Sequence, residues 1–371
     1  MSVFTRHLLP RLALGWHSCL APWLPSGSWR SGLARSRGHW LTVLGLGLLL
    51  GLGTLVQGCG AAVEAPRSAL PPNTHLVRHA LGETAVPNAP QRIITLGNLP
   101  SEAALVLGLT PLGAAPDSFA GNPGQFPRYF PEEATVAMTY LGDEEQPSLE
   151  RIVSLQPDLI LGLYPVHGSL YAQLSQIAPT VLYPVFDGKV FAPWQDALVA
   201  YGEALDRSQA AAQVFADYNA QMMQLRQQLP QAAEDYEISV LRFMPGQLRL
   251  YLGGSFAGQV LADVGFSRPP GQAEATFFER ISLERLGEAD GDVLVVLQSD
   301  PQGTLFEDFS RSPLWQRLRA VQADRVYFVD YDAWLSEGPI AAQRILKDLL
   351  TIFSTSQELT PRTSLQSLSG F

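Results

Sequence analysis

From position 91 onward the chain alternates short apolar runs of strand length with segments of helical period. Residues 91–96 (QRIITL) predict a strand, 102–107 a helix closed by Gly108, and 109–114 a second short strand. A helix follows at 171–177 and a strand at 180–185. Ahead of these, HLVRHALGETAVP (75–87) alternates as an edge strand or hairpin does. Residues 116–146 carry no period. They hold Pro, Gly, Phe126, Tyr129 and Tyr140 and read as a long loop facing something. From 194 to 229 the apolar positions keep helical spacing, and only Gly202 and Asp206-Arg207-Ser208 mark a break. Alternation then resumes: strands at 238–243 and 248–252, helix 259–264, helix 312–320, strand 325–329 and a closing helix at 340–353.

Strands alternating with helices predict parallel sheets covered on both faces. The order predicts an α/β fold of two Rossmann-like lobes with mostly parallel sheets, joined by one long α-helix. The expected divisions are a signal segment at 1–58, a linker at 59–72, a first lobe at 73–193, the joining helix at 194–230, a second lobe at 231–356 and a tail at 357–371.

Two lobes are also written as a repeat. SLERIVSLQPDLILGL starts at Ser148 and SLERLGEADGDVLVVL at Ser282, and they align without a gap. Each predicts a short helix leading into a buried strand. Its Ser stands at the cap, its Glu (Glu150, Glu284) in the first turn where the helix dipole favours an acid, and its Asp (Asp158, Asp292) just before the strand.

The N-terminus changes the picture. Residues 1–40 hold five arginines and no acid, and the apolar run 41–56 that follows is short for a membrane span. It ends at Val56-Gln57-Gly58-Cys59, which resembles the acylation box of bacterial lipoproteins, although Gln57 departs from it. Cleavage before Cys59 would remove Cys19 and the five arginines, taking the net charge from −10 to −15. One cysteine forms no disulfide framework, and a strongly acidic chain is a poor partner for nucleic acid. Cys59 is the expected lipid attachment point, holding the protein in the cell envelope at the outer face of the cytoplasmic membrane.

Further words run through the same region: Pro90-Gln91-Arg92-Ile93-Ile94-Thr95-Leu96, Gly108-Leu109-Thr110-Pro111-Leu112-Gly113, Gln146-Pro147-Ser148-Leu149-Glu150, Leu155-Gln156-Pro157-Asp158, Ile177-Ala178-Pro179-Thr180 and Pro313-Leu314-Trp315. In their order and spacing the chain resembles the substrate-binding lipoproteins of ABC importers for ferric siderophores, haem and cobalamin, most closely the ferric-siderophore branch. The resemblance implies a monomeric binding protein, not an enzyme, that needs no cofactor. Its ligand would be an iron chelate in the cleft, and its partners a permease dimer with its ATPase. It implies that Glu150 and Glu284 dock the permease and that Tyr164 and Trp334 contact ligand. Arg242, Tyr251 and Tyr140, at or beyond strand ends, join them as candidates, because arginine beside aromatic faces suits a flat anionic chelate. Asp143-Glu144-Glu145 stands where relatives can carry a ligand-binding arginine, and counts against a strongly anionic ligand.

Haem or a corrinoid is the alternative ligand, and a metal-cofactor enzyme or chelatase on a similar fold the alternative class. His75, His79 and His167 form no evident metal set, and neither a G-x-S-x-G nor a phosphate loop is present.

Overall fold

The computed structural model describes residues 70–117, 125–186, 192–244, 247–298 and 304–355. The signal segment, Cys59 and the tail expected at 357–371 lie outside them.

The first lobe opens with an antiparallel hairpin, β1 (Thr74–His79) and β2 (Gly82–Pro87), in which Thr74 faces Pro87 and His79 faces Gly82. Next come β3 (Ile93–Leu96), β4 (Gly113–Ala115) and β5 (Thr139–Tyr140), a two-residue pair β6 (Gly142–Asp143) and β7 (Gln146–Pro147), then β8 (Leu159–Tyr164) and β9 (Thr180–Pro184). Five of them form a fully parallel sheet in the order β5-β4-β3-β8-β9. β3, at its centre, is buried at all four positions, which is why its sequence shows no alternation. The second lobe contains β10 (Ile238–Met244), β11 (Gln247–Tyr251), β12 (Phe278–Ile281), β13 (Val293–Gln298) and β14 (Val326–Asp330), ordered β12-β11-β10-β13-β14. β10, β13 and β14 run parallel; β11 and β12 return antiparallel at one edge. The α/β class and two-lobe arrangement are those the pattern predicts.

The repeated motif does the same mechanical task twice. Asp158 accepts the backbone N–H groups of Gln91 and Arg92, both at 2.9 Å, and Asp292 accepts that of Glu237 at 2.9 Å. Each carboxylate therefore ties the residue before its own strand to the chain entering the neighbouring one, and sets the registers Ile93 opposite Leu159 and Ile238 opposite Val293. The helices of the two copies differ. Ser148 caps Leu149–Ser154 by accepting the Arg151 N–H, whereas Ser282 makes no such bond and Leu283–Ala289 is a 3-10 helix. Gly287, in the second copy only, weakens α-helix there.

Four expectations need correction. Residues 116–146 are not a single loop: their described part carries helix Glu132–Ala137 and strands β5 to β7. The 194–230 stretch is two helices, Trp194–Ala204 and Ser208–Gln228. Between them Asp206 takes a left-handed φ of 54°, and the Arg207 N–H returns to Gly202 O at 2.7 Å. An added Cβ on Gly202 would stand 3.1 Å from that of Ala211, so glycine lets the helices close up. The first helix buries Trp194, Leu198 and Tyr201, and the Tyr201 hydroxyl donates to Gly162 O of β8 at 2.9 Å. The second, 21 residues and so about 31 Å long, turns Ala211, Val214, Tyr218 and Leu225 inward. At 312–320 a 3-10 turn, Trp315–Arg317, and a short helix, Arg319–Gln322, replace one helix. Asp290 accepts the Arg319 N–H and starts the second piece afresh. Last, the closing helix Pro339–Thr355 does not belong to the second lobe alone. Its Ala341, Ile345 and Leu349 share one apolar core with Leu99 and Ala103 of the first lobe and with Val260 and Val264 of the second.

Removing the Asp158 carboxylate leaves two strand-entry N–H groups without their acceptor. Asp158→Ala should cost about 1–3 kcal/mol in urea unfolding, and Asp158→Asn should recover part of the loss.

Candidate functional site

In open α/β sheets the carboxyl ends of strands on either side of the central strand leave a crevice. Here those ends from both lobes converge. β3 leads into Gly97-Asn98 and β4 into Asp117, the segment around Pro127 and Tyr129 crosses above them, and β14 leads into the short helix Tyr331–Leu335. Together they border a small, partly open recess lined by Asn98, Asp117, Pro127 and Tyr129 from the first lobe and Tyr331, Asp332, Leu335 and Ser336 from the second. Gly97 makes the turn possible. Its φ is 110°, and an added Cβ would lie 2.8 Å from Leu163 Cδ1 and 3.2 Å from Glu144 Oε1.

Beneath this pocket lies Glu102, fully buried in helix Asn98–Val106. The hydroxyls of Tyr129 (2.7 Å) and Ser336 (2.8 Å) donate to its Oε1, and the Ala341 N–H donates to Oε2 at 2.9 Å. Ala341 belongs to the first turn of the closing helix, so a first-lobe carboxylate caps a helix that both lobes share. Gly338 is required beside it, because an added Cβ would lie 2.3 Å from Glu102 Oε2. Burial raises the Glu102 carboxyl to about 7 against these donors, which pull it down.

Other acids gather near the pocket. Burial, then the like charges of Asp117 and Glu145, raise Glu144 to about 8. Burial, then Glu144, Asp117 and Glu102, push Glu337 well up. Asp332 is raised to about 6 by burial and Asp330, with Arg128 and Arg242 opposing. Arg128 crosses the cleft to Asp330 (3.3 Å) and Asp332 (3.4 Å). Its side chain is 60% exposed and both bonds are long, so these are weak ties. The Arg242 guanidinium sits 4.7 Å from the Tyr331 ring centroid, one layer behind the pocket wall. His167 is structural: Nδ1 accepts the Leu163 N–H at 3.0 Å and Nε2 donates to Glu144 O at 2.9 Å, while burial holds its pKa low.

The candidates from sequence divide. Tyr164 is 38% exposed at the carboxyl end of β8. Arg242 is near the pocket as described. Tyr140 is half-buried and donates to Asp143. Trp334 is not a ligand face: it is fully buried, and its indole N–H donates to Asp348 at 3.0 Å. Tyr251 is likewise core, 1% exposed, against Phe277 and Phe278. Both sit next to loops, but the face that packing selected points inward. Glu150 and Glu284 are exposed in the first turns of the repeated helices, and a hydroxyl bond from Ser282 lowers the Glu284 carboxyl. His75 is bonded to Asn88 and Glu203 O, His79 to Thr84. Among the described residues no group of three His, Cys, Asp or Glu is placed to hold a metal. Sequence reading missed Asn98, Asp117, Tyr331 and Asp332 and named Tyr129 only among the aromatics of residues 116–146. Asn98, Asp117 and Tyr331 come just after β3, β4 and β14, and Asp332 lies in the Asp330–Trp334 segment that singled out Trp334.

Glu144 makes a pH prediction with a definite sign. Its carboxyl is raised in the folded protein, so it favours folding when protonated, and this stability is lost as pH rises from about 4.5 towards 8. Glu144→Gln should raise the melting temperature at pH 8 and change it little at pH 5, as read by differential scanning fluorimetry.

Residues 93–333 match the family model described as periplasmic binding protein. The chain is 31% identical over 314 residues to the probable siderophore-binding lipoprotein YfiY of Bacillus subtilis, covering 81% of this chain and 94% of that one. It is 32% identical over 272 residues to the achromobactin-binding periplasmic protein of Dickeya dadantii, covering 71% and 86%. Among solved structures it resembles Staphylococcus aureus SirA complexed with staphyloferrin B, with 26% identity, a TM-score of 0.65, and coverage of 76% of this chain and 99% of that one. No described helix is long and apolar enough to cross a membrane. Fold, cleft and sequence agree, and the chain belongs to the periplasmic binding protein family.

Proposed function

We propose that this protein is the substrate-binding component of an ABC importer, a binding protein rather than an enzyme, which captures a ferric siderophore between its lobes and delivers it to the permease. The observation that carries this reading is likeness over most of the chain to proteins named for siderophore binding, together with a pocket to which both lobes contribute. Tyr129, Tyr331 and Tyr164 would offer aromatic faces, with Arg242 supporting Tyr331. Lipid on Cys59 would hold the monomer at the cytoplasmic membrane, facing outward.

Delivery needs a docking face. In each lobe the repeated helix precedes a parallel strand of the sheet, and a helix packed antiparallel to that strand would begin at the cleft end. Glu150 and Glu284 would thus stand on one side of the molecule, one per lobe, as a pseudo-symmetric body needs to meet paired permease subunits. Exposed carboxylates paired with arginines orient a complex more than they tighten it.

Trp334 lies beside the pocket residues Tyr331 and Asp332 and is a built-in reporter. Titration with ferric siderophores should quench tryptophan fluorescence at micromolar or lower concentration, with haem and cobalamin as controls. Binding of haem or cobalamin but no ferric chelate would overturn the proposal. For docking, Glu150→Ala with Glu284→Ala should leave ligand affinity within about twofold and the melting temperature nearly unchanged. Transport in cells should fall sharply, more than for either single change. Parallel loss of binding and transport would instead place these carboxylates in the fold.

A further inference from the structure

The second-lobe sheet carries three arginines side by side. Arg242 on β10 stands opposite Arg249 on β11, and Arg249 stands opposite Arg280 on β12, the edge strand. Residues directly opposite in antiparallel strands share a face, with Cβ atoms roughly 5 Å apart. The reverse face of these strands is apolar, where Leu241, Phe243, Leu248, Leu250 and Ile281 pack as one core. Arg242 lies near the carboxyl end of β10, the end that meets the cleft, so the register holds all three at that level. Like charges set opposite one another weaken a sheet, and the fold does little to offset this. Arg242 is engaged: its guanidinium lies over Tyr331, and its charge acts on Asp332. Arg249 and Arg280 pair with no acid among the described residues. Both instead lie over the Phe278 ring, 4.6 and 5.9 Å from its centroid. A ring steadies the charge but accepts none of the N–H groups in the guanidinium plane. Arg249 Nε is buried without a hydrogen-bond partner, and Arg280 is exposed.

We infer that Arg249 and Arg280 bind free carboxylates of an iron chelate, so that ferric polycarboxylates are taken ahead of catecholates and hydroxamates. The inference rests on the siderophore reading above and narrows it to a substrate class. A guanidinium edge matches the two oxygens of a carboxylate, and two such edges side by side match a ligand that carries more than one. Arginine already occupies the Phe278 ring, so this wall offers N–H donors rather than a ring face on which a catechol would stack. A hydroxamate spends both its oxygens on iron and brings no free anion. The acids at 143–145 oppose such a ligand less than their sequence suggests. Burial, then the charges of Asp117 and Glu145, raise Glu144 to about 8, which leaves it largely uncharged at neutral pH.

Calorimetry on the unaltered protein compares ferric citrate with ferrioxamine B, a hydroxamate, and ferric enterobactin, a catecholate. The last is also an anion, so it separates carboxylate recognition from charge alone. Ferric citrate should bind at least about tenfold more tightly than either, with the advantage shrinking as salt is raised. Arg249→Gln and Arg280→Gln should each weaken ferric citrate on the order of tenfold, as loss of a charged hydrogen bond does. Ferrioxamine B affinity should stay within about twofold in both variants. Arg280 is exposed, so its variant keeps the fold and reads binding alone. Ferric enterobactin or ferrioxamine B binding as tightly as ferric citrate, or full ferric citrate affinity in both variants, overturns this inference and leaves siderophore capture standing. Binding of haem or cobalamin alone removes both.

Discussion

The carboxylate of Glu102 sets where the two lobes stand. An ionised acid inside a protein costs several kcal/mol of lost hydration unless donors replace the water. Here they come from three directions: Tyr129 in the first lobe, Ser336 after the last strand of the second, and the Ala341 N–H at the start of the closing helix. The helix N-terminus also carries partial positive charge, so this cap suits an acid. Neither lobe can satisfy the group alone. Gly338 shows how little slack remains, since a single methyl there would overlap the carboxylate.

That contact works together with a core that crosses the lobe boundary. The closing helix packs its apolar stripe against both sheets' helices, and Ser208–Gln228 packs along it. Two α/β lobes thus share one continuous interior at the hinge side, while the Arg128 ion pairs that cross the pocket on the other side are long and exposed. Packed helices resist bending except at a break. Leu205–Arg207 supplies one, but Gly202 and Ala211 in close contact hold it shut. The stiff side and the weakly bonded side follow from the same arrangement.

Three of the pocket residues, Asn98, Asp117 and Tyr331, come just after β3, β4 and β14, because sheet geometry brings those positions together whatever their identity. Its electrical character is a different matter. Asp143-Glu144-Glu145 reads as surface loop in the sequence, yet His167 bolts this loop to the end of β8 and places Glu144 against Gly97, where burial and Asp117 raise its carboxyl.

Strand and helix order, the hairpin at 75–87 and the doubling of the lobes were legible in the chain, because burial on both faces, period and repetition are local properties. The repeated Asp was visible as well, though its role in fixing strand register emerged only from the backbone N–H groups it accepts. Local pattern could not tell that Trp334 and Tyr251 turn inward while Tyr331 and Asp332 face the cleft. A residue at a strand end or in a short helix has neighbours from several distant segments, and these select the face. The same limit hid Glu102, which reads as an ordinary first-turn helix acid. Its donors lie 27 to 239 residues away in the chain. Period and repetition wrote the order of strands and helices and the doubling of the lobes into the chain, whereas the break in the joining helix and the meeting of polar groups came from packing, since both depend on distances no period encodes.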